Sequence, residues 1–238
     1  GKGNIYEWYT SYEDIVGTLV KHIKESDKIL HIGAGNSLLA EQILGDARFP
    51  SKLKVTSVDV SPVAVERMND HLDALFGKES AAEDKNEKGT KGKRGKTKKS
   101  NDGSIKPDGA SRAWTRDQCE YLLEDVSKLP YDEGHFDIVL DKGMLDAVLS
   151  HGEVETGDND LVIRVNREVY RVLKPGGVYL IISGMDSFLT TPYFAGDEAV
   201  NWDFSHHSFQ SRSPSNKTLR TLFFYVLIKQ ELDQDQES

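Results

Sequence analysis

The chain has 238 residues, of which 37% are hydrophobic and 29% charged, so it can build one large folded domain and is not wholly disordered. Its net charge of −9 disfavours nucleic acid as a partner of the general surface, because phosphates would be repelled. The single cysteine excludes an internal disulfide, and the lack of a long apolar run and the polar start predict a reduced, cytoplasmic protein without a membrane span or signal peptide.

Helices and strands alternate along most of the chain. Ser11 is placed to cap a first helix whose apolar residues Ile15, Leu19, Val20 and Ile23 share one face. Further helices are predicted over residues 36–44, 61–76 and 159–173. Seven strands are predicted over residues 28–33, 53–59, 120–123, 136–141, 178–183, 205–211 and 219–229.

This alternation is typical of a parallel sheet that is covered by helices on both faces. The last two strands are joined by a short turn at residues 213–217, so they should form an antiparallel pair. The predicted fold class is therefore α/β: a doubly wound, Rossmann-like, mostly parallel seven-stranded sheet with an antiparallel C-terminal edge.

A basic low-complexity segment interrupts the pattern between about residues 77 and 113. Residues 78–108 carry a net charge of +4, which leaves −13 for the rest of the chain. The segment has no apolar periodicity, so we expect a solvated insertion in a single domain spanning residues 1–238. The alternative is a nuclear-localisation or RNA-binding tract, although no aromatic residues stand among the basic ones to stack on bases.

Glycines follow the first predicted strand. Gly33 and Gly35 permit a tight turn and a close approach of a ligand to the backbone, and Asn36 follows them at the expected start of a helix. Leu38 stands where a dinucleotide-binding turn needs a third small residue, which disfavours a dinucleotide oxidoreductase.

Carboxylates follow the next three strands, whose ends line the crevice of such a sheet. Asp59 lies 24 residues after Gly35, where it can accept both hydroxyls of a ribose or cap the following helix. Asp125 could accept the amino group of an adenine, and Asp141 and Lys142 lie at the mouth of the crevice. So many carboxylates favour an adenosine ligand that lacks phosphates.

These features resemble the class I S-adenosylmethionine-dependent methyltransferases. The resemblance lies in the glycine motif at residues 29–37, the ribose-acid motif at 55–60, the adenine motif at 124–126 and the motif at 171–177 that precedes the fifth strand. It covers about residues 6–184, apart from the insertion. It implies S-adenosylmethionine as the cofactor and methyl transfer as the reaction.

Two further strings, YEWY at residues 6–9 and LDKGMLDA at residues 140–147, are similar to a narrower eukaryotic methyltransferase-like group. This group includes lysine and N-terminal methyltransferases that act on translation elongation factor 1-alpha. The similarity implies a protein lysine as the methyl acceptor, and an aromatic Tyr-Trp segment ahead of residue 6 that this chain starts too late to contain. The residues that it implies around the cofactor are Trp8, Gly33, Asp59, Val60, Asp125, Val126 and Lys142.

Methyl transfer from a sulfonium needs no enzyme nucleophile, since the enzyme has to align the acceptor and exclude water. No catalytic residue is assigned, although Asp141 or Asp146 could orient an acceptor amine, and Asp146 could instead have a packing role. An acidic body suits a basic protein substrate. No metal site is expected, because the adjacent His206 and His207 would point to opposite faces of a strand.

Two other functions stay open. One is a spermidine-synthase-like aminopropyltransferase, which Lys142 at the mouth of the crevice disfavours because its acceptor is a linear polyamine cation. The other is a protein that binds S-adenosylmethionine without catalysis and uses the basic insertion as an interaction arm.

Overall fold

The computed structural model describes residues 7–25, 27–77, 112–151, 160–214 and 217–230. Within these ranges, seven strands form one sheet in the order β3-β2-β1-β4-β5-β7-β6. The strands are β1 Lys28–Ile32, β2 Lys54–Asp59, β3 Cys119–Leu123, β4 Phe136–Lys142, β5 Leu173–Ser183, β6 Trp202–Arg212 and β7 Leu219–Lys229. Strands β1 to β5 pair in parallel, and β7 is antiparallel to both β5 and β6. The predicted fold class is confirmed.

Helices cover both faces of this sheet. They are α1 Tyr12–His22, α2 Leu39–Gly45, α3 Pro62–Phe76, α4 Met144–His151, α5 Asp160–Val172 and α6 Ser187–Ala195. The buried core forms two clusters, one with residues of α1, α2 and α3 and the other with residues of α4, α5 and α6. No helix in the described ranges is long and apolar enough to cross a membrane.

The prediction for α1 was partly wrong. Its buried face consists of Tyr12, Ile15, Val16 and Leu19, whereas Val20 is 38% exposed. Ile23 is buried but lies beyond the last residue of the helix. Ser11 does precede the helix, but its side chain makes no capping hydrogen bond to the backbone and instead donates to Asp14 at 3.0 Å.

Strand β5 begins five residues earlier than predicted, because the stretch from Pro175 to Gly177 pairs irregularly within the strand. Leu173 pairs with Phe136, and the register between β4 and β5 then shifts before Ile138 pairs with Val178. The segment therefore lies within β5, directly after α5 has ended at Val172, and shifts the register of the strand.

Most of the predicted insertion, residues 78–111, lies outside the described residues. The described chain resumes at Arg112, which the prediction had placed within the insertion. The guanidinium of Arg112 donates to the Leu44 carbonyl at 2.6 and 3.0 Å and to the Phe49 carbonyl at 2.6 Å. Arg112 is therefore fastened to the end of α2 and the loop after it.

Candidate active site

A cavity of about 490 Å³ opens beyond the carboxyl ends of the strands. The strand order reverses between β1 and β4, because the chain continues from β1 to β2 on one side and from β4 to β5 on the other. Such a reversal is the usual position of a ligand in an open α/β sheet. Eight of the ten residues predicted to bind the cofactor line this cavity: Trp8, Gly33, Gly35, Asp59, Val60, Asp125, Val126 and Lys142. The other lining residues come from the N-terminal segment, Gly143, α4 and α5. Those up to Ala147 lie in the YEWY and LDKGMLDA strings, whereas Val148, Ser150, Leu161 and Val165 had no signal as site residues.

Asn36 lines a smaller neighbouring cavity of about 60 Å³, which shares Trp8, Gly33, Gly35 and Lys142 with the larger one. The structure thus places Asn36 beside the main cavity rather than on its wall.

The turn after β1 needs glycine for two different reasons. Gly33 and Gly35 both have positive φ, +56° and +53°, which costs about 1–2 kcal/mol for a residue with a Cβ. At Gly33 a Cβ would also lie only 2.4 Å from Cγ of Met144, the first residue of α4. Gly33 therefore packs directly against the side chain of Met144, with no room for a Cβ.

Asp59 supports this turn from the end of β2. Its Oδ2 accepts the N–H of Gly35 at 2.8 Å, and its Oδ1 accepts the N–H of Ser61 at 2.8 Å. The capping alternative for Asp59 was wrong, because Ser61 is the N-cap of α3 and accepts the N–H of Ala64 at 3.3 Å. The carboxylate of Asp59 is thus held by two backbone donors and lines the cavity.

Asp125 lies on the exposed rim of the cavity, just after β3. Its Oδ1 accepts both the N–H and the hydroxyl of Ser127, each at 2.8 Å. These two bonds fix the orientation of a carboxylate that would otherwise be free to rotate in solvent.

Asp141 does not line the cavity, so its predicted site role is corrected. Its carboxylate is fully buried and accepts the N–H of Met144 at 2.7 Å, the N–H of Leu145 at 3.0 Å and the hydroxyl of Tyr179 at 3.2 Å. Asp141 therefore caps the first turn of α4. Burial, with the nearby charge of Asp146, raises the pKa of Asp141 to about 7.

Asp146 lines the cavity, but its carboxylate is also engaged in holding the structure together. It accepts the hydroxyl of Ser183 and the N–H of Gly184, the latter at 2.7 Å, and so ties α4 to the end of β5. Burial, together with the nearby carboxylate of Asp146, also raises the pKa of the Tyr9 hydroxyl. These contacts support the packing role for Asp146.

The N-terminal segment reaches across the strand ends and contributes two aromatic side chains to the cavity. Tyr9 has a φ of +63°, and its ring lies so close to Gly143 that a Cβ there would be 2.7 Å from Cε2 of Tyr9. The glycine of the LDKGMLDA string therefore leaves the space that the ring of Tyr9, in the YEWY string, occupies. Trp8 lies on the cavity wall with 58% of its surface exposed, and Tyr6 is outside the described residues.

The ammonium of Lys142 is the cationic group on the cavity wall at the end of β4. The ammonium donates a hydrogen bond to the carboxylate of Glu7 at 2.5 Å and another to the carbonyl of Trp8 at 3.4 Å. His31 lies on the same face of the sheet, and burial together with the charge of Lys142 lowers its pKa to about 3, so that this histidine is neutral. Glu7 belongs to the YEWY string, but its pairing with Lys142, 135 residues away in the chain, had no signal in the sequence.

Comparisons with known proteins agree with this geometry. The sequence model of a methyltransferase domain family matches residues 101–181. The eEF1A lysine and N-terminal methyltransferase of Homo sapiens is 31% identical over 178 residues, which are 75% of this chain and 19% of that protein. The EEF1A lysine methyltransferase 4 of Mus musculus is 28% identical over 215 residues, which are 87% of this chain and 64% of that protein.

Among solved structures, a SAM-dependent methyltransferase from Methanosarcina mazei superposes with a TM-score of 0.56 at 14% identity, covering 93% of this chain and 99% of that chain. The chain therefore carries a methyltransferase domain, and its fold is that of the class I S-adenosylmethionine-dependent methyltransferases. The narrower resemblance is confirmed as well, since the chain is similar to methyltransferases named for eEF1A. It spans about a fifth of the length of the first of these curated relatives.

Proposed function

We propose that the chain binds S-adenosylmethionine in the large cavity and methylates a lysine side chain of a protein substrate. The observation that carries this proposal is the order of polar groups along the cavity. Asp125 follows β3, Asp59 ends β2, the glycine turn follows β1 and Lys142 ends β4, and these strands are neighbours in that order.

The order of groups matches the order of chemical groups in the cofactor. Four adjacent strands span about 14 Å, since neighbouring strands lie roughly 4.8 Å apart. Over this length, Asp125 can accept the adenine amino group and Asp59 the ribose hydroxyls, while Lys142 can bind the carboxylate of the methionine part. A pyrophosphate would face two carboxylates instead, which argues against a dinucleotide.

The remaining lining residues would bind the cofactor through apolar packing rather than through charged groups. The exposed ring of Trp8 and the apolar side chains of Val60 and Val126 offer surfaces for the adenosine. When bound, S-adenosylmethionine supplies a methyl group that its sulfonium has already activated. The chain then has to orient the acceptor amine in line and exclude water, which needs no protein nucleophile. No residue is assigned as a base, because the carboxylates of Asp141 and Asp146 are already hydrogen-bonded.

The substrate proposal is supported by the relatives and by charge. The relatives are named for eEF1A lysine methylation, so we extend this substrate class to the chain and, with it, a cytoplasmic location. Outside residues 78–108 the chain carries a charge of −13, which favours encounter with a basic protein and disfavours nucleic acid. We also propose that residues 1–238 form one domain with the basic insertion at about residues 77–113.

Binding of the cofactor is tested first by titration calorimetry with S-adenosylmethionine, and with NAD and decarboxylated S-adenosylmethionine in parallel. We expect S-adenosylmethionine to bind and Asp59→Ala to weaken its binding at least tenfold. Asp70→Ala, on the exposed face of α3, is the matched control and should bind as the wild type does. Failure to bind S-adenosylmethionine would contradict the proposal.

Product analysis then separates the three candidate activities. Incubation with eEF1A and the cofactor, followed by peptide mass spectrometry, should show a lysine that carries one to three added methyl groups. Spermidine formed from putrescine and decarboxylated S-adenosylmethionine would support the aminopropyltransferase instead. Cofactor binding without turnover on eEF1A or other basic proteins would favour the non-catalytic alternative.

A further inference from the structure

The carboxylate of Glu7 joins the ends of two neighbouring strands. Its Oε1 accepts the N–H of Leu38 at 3.0 Å, and the hydroxyl of Ser37 lies 3.1 and 3.2 Å from its two oxygens. Its Oε2 accepts the ammonium of Lys142 at 2.5 Å. One side chain therefore connects the glycine turn after β1 to the end of β4, the two strands whose separation opens the crevice.

Lys142 needs such a partner because its side chain is only 3% exposed. A buried ammonium without an anionic partner is strongly destabilising, and Glu7, at 20% exposure, is the carboxylate that pairs with it. An ammonium has three N–H groups. Within the described part of the chain, Glu7 and the carbonyl of Trp8 accept two of them, which leaves the third for a ligand in the cavity that Lys142 lines.

We propose that Glu7 is a positioning residue for the amino-acid end of the cofactor. It holds the ammonium of Lys142 at the cavity wall, so that the remaining N–H can donate to the cofactor carboxylate. This inference rests on the proposed binding of S-adenosylmethionine. Its bonds to Ser37 and Leu38 hold the carboxylate of Glu7 in place, and Glu7 acts on the cofactor through Lys142 and not by contact with the reacting atoms.

Glutamine at this position separates the two contacts. An amide has a single acceptor oxygen, so Glu7→Gln can satisfy the N–H of Leu38 or the ammonium of Lys142 but not both. Its amide N–H₂ would then face a donor on the other side. The variant keeps the size of the side chain and removes the negative charge that pairs with Lys142.

Two ligands distinguish positioning from general support of the fold. S-adenosylhomocysteine has the amino-acid carboxylate, and 5′-methylthioadenosine shares the adenosine but lacks the amino-acid part. We expect Glu7→Gln to weaken S-adenosylhomocysteine at least tenfold and methylthioadenosine less than threefold, as measured by calorimetry. Glu66→Gln, on the exposed face of α3, is the matched control and should change neither affinity.

An equal loss for both ligands would overturn the inference, because a merely structural role would affect the whole pocket. The second measurement combines the Glu7→Gln and Lys142→Gln substitutions in one variant. Because Glu7 acts through Lys142, this double variant should bind S-adenosylhomocysteine no more weakly than Lys142→Gln alone. If the two single losses of affinity multiplied in the double variant, the inference would also be overturned. Failure of the wild type to bind either ligand would instead contradict the proposed function itself, so the two failures can be told apart.

Discussion

The two glycines of the turn after β1 provide a matched test of how closely this turn packs against α4. Gly33 and Gly35 share nearly the same positive φ, +56° and +53°. A Cβ at Gly33 would lie 2.4 Å from Cγ and 2.5 Å from Cβ of Met144, whereas a Cβ at Gly35 would meet nothing within 4 Å. Substitution by alanine therefore introduces the same backbone strain at both positions and a steric clash at only one.

The difference in stability follows from these two effects. The left-handed backbone should cost either variant about 1–2 kcal/mol. The clash at Gly33 should cost a further ~1–3 kcal/mol, the usual range for overpacking a core. Gly35→Ala should then lower the melting temperature by about 2–8 °C and Gly33→Ala by about 4–20 °C, since 1 kcal/mol corresponds to roughly 2–4 °C in a protein of this size.

The assay is thermal and urea unfolding followed by circular dichroism, with both variants measured side by side. Equal destabilisation of the two variants would refute the close approach of the turn to Met144. A further check uses a Met144→Gly background, which removes both of the clashing atoms. In that background the two alanine substitutions should have the same cost.

Two further predictions concern stability. Ser61→Ala should lower the free energy of unfolding by about 1 kcal/mol, because it removes the hydrogen bond that caps α3. Ser11→Ala should lower it by less than half as much, because Ser11 makes no capping bond to α1. Equal urea midpoints for the two variants would contradict this. Burial raises the pKa of Glu41 from 4.5 to about 7, so the folded state binds the proton more tightly, and stability should fall by about 3 kcal/mol as pH rises through that range. Glu41→Gln should remove this loss of stability. If the unfolding free energy of the variant changed with pH between 4.5 and 7 as steeply as that of the wild type, the role of Glu41 would be contradicted.

The central parallel strands β1 and β4 could be predicted from sequence because they are mostly buried on both faces. Buried runs of this kind are mostly apolar, and β1 is followed at once by Gly33. The antiparallel pair β6–β7 was equally predictable, since a short turn leaves no room for a crossover. The early start of β5 was not, because Pro175 and the glycines after it indicate the end of a helix and not an irregular strand.

Helices α4 and α6 were missed for identifiable reasons. A helix start is usually marked by a capping residue directly before the first turn, and Gly143 stands there. The carboxylate that does cap α4 belongs to Asp141, which is still part of β4. Helix α6 contains Pro192 in its interior, a residue that normally argues against a helix.

Asp141 caps α4 whereas Lys142 lines the cavity, and this difference follows from the alternation of side chains along a strand. Successive residues of β4 point to opposite faces of the sheet, so neighbours cannot both face one ligand from within the strand. Val139 packs in the core cluster with α4 and α5, and Asp141, two residues later, caps α4 on that side. Leu140 packs in the other cluster, and Lys142 follows it toward the N-terminal segment. The period of two therefore predicts that only one of the two charged residues can bind a ligand. Which one it is depends on the packing of α4, which occupies the carboxylate and leaves the ammonium to the cavity.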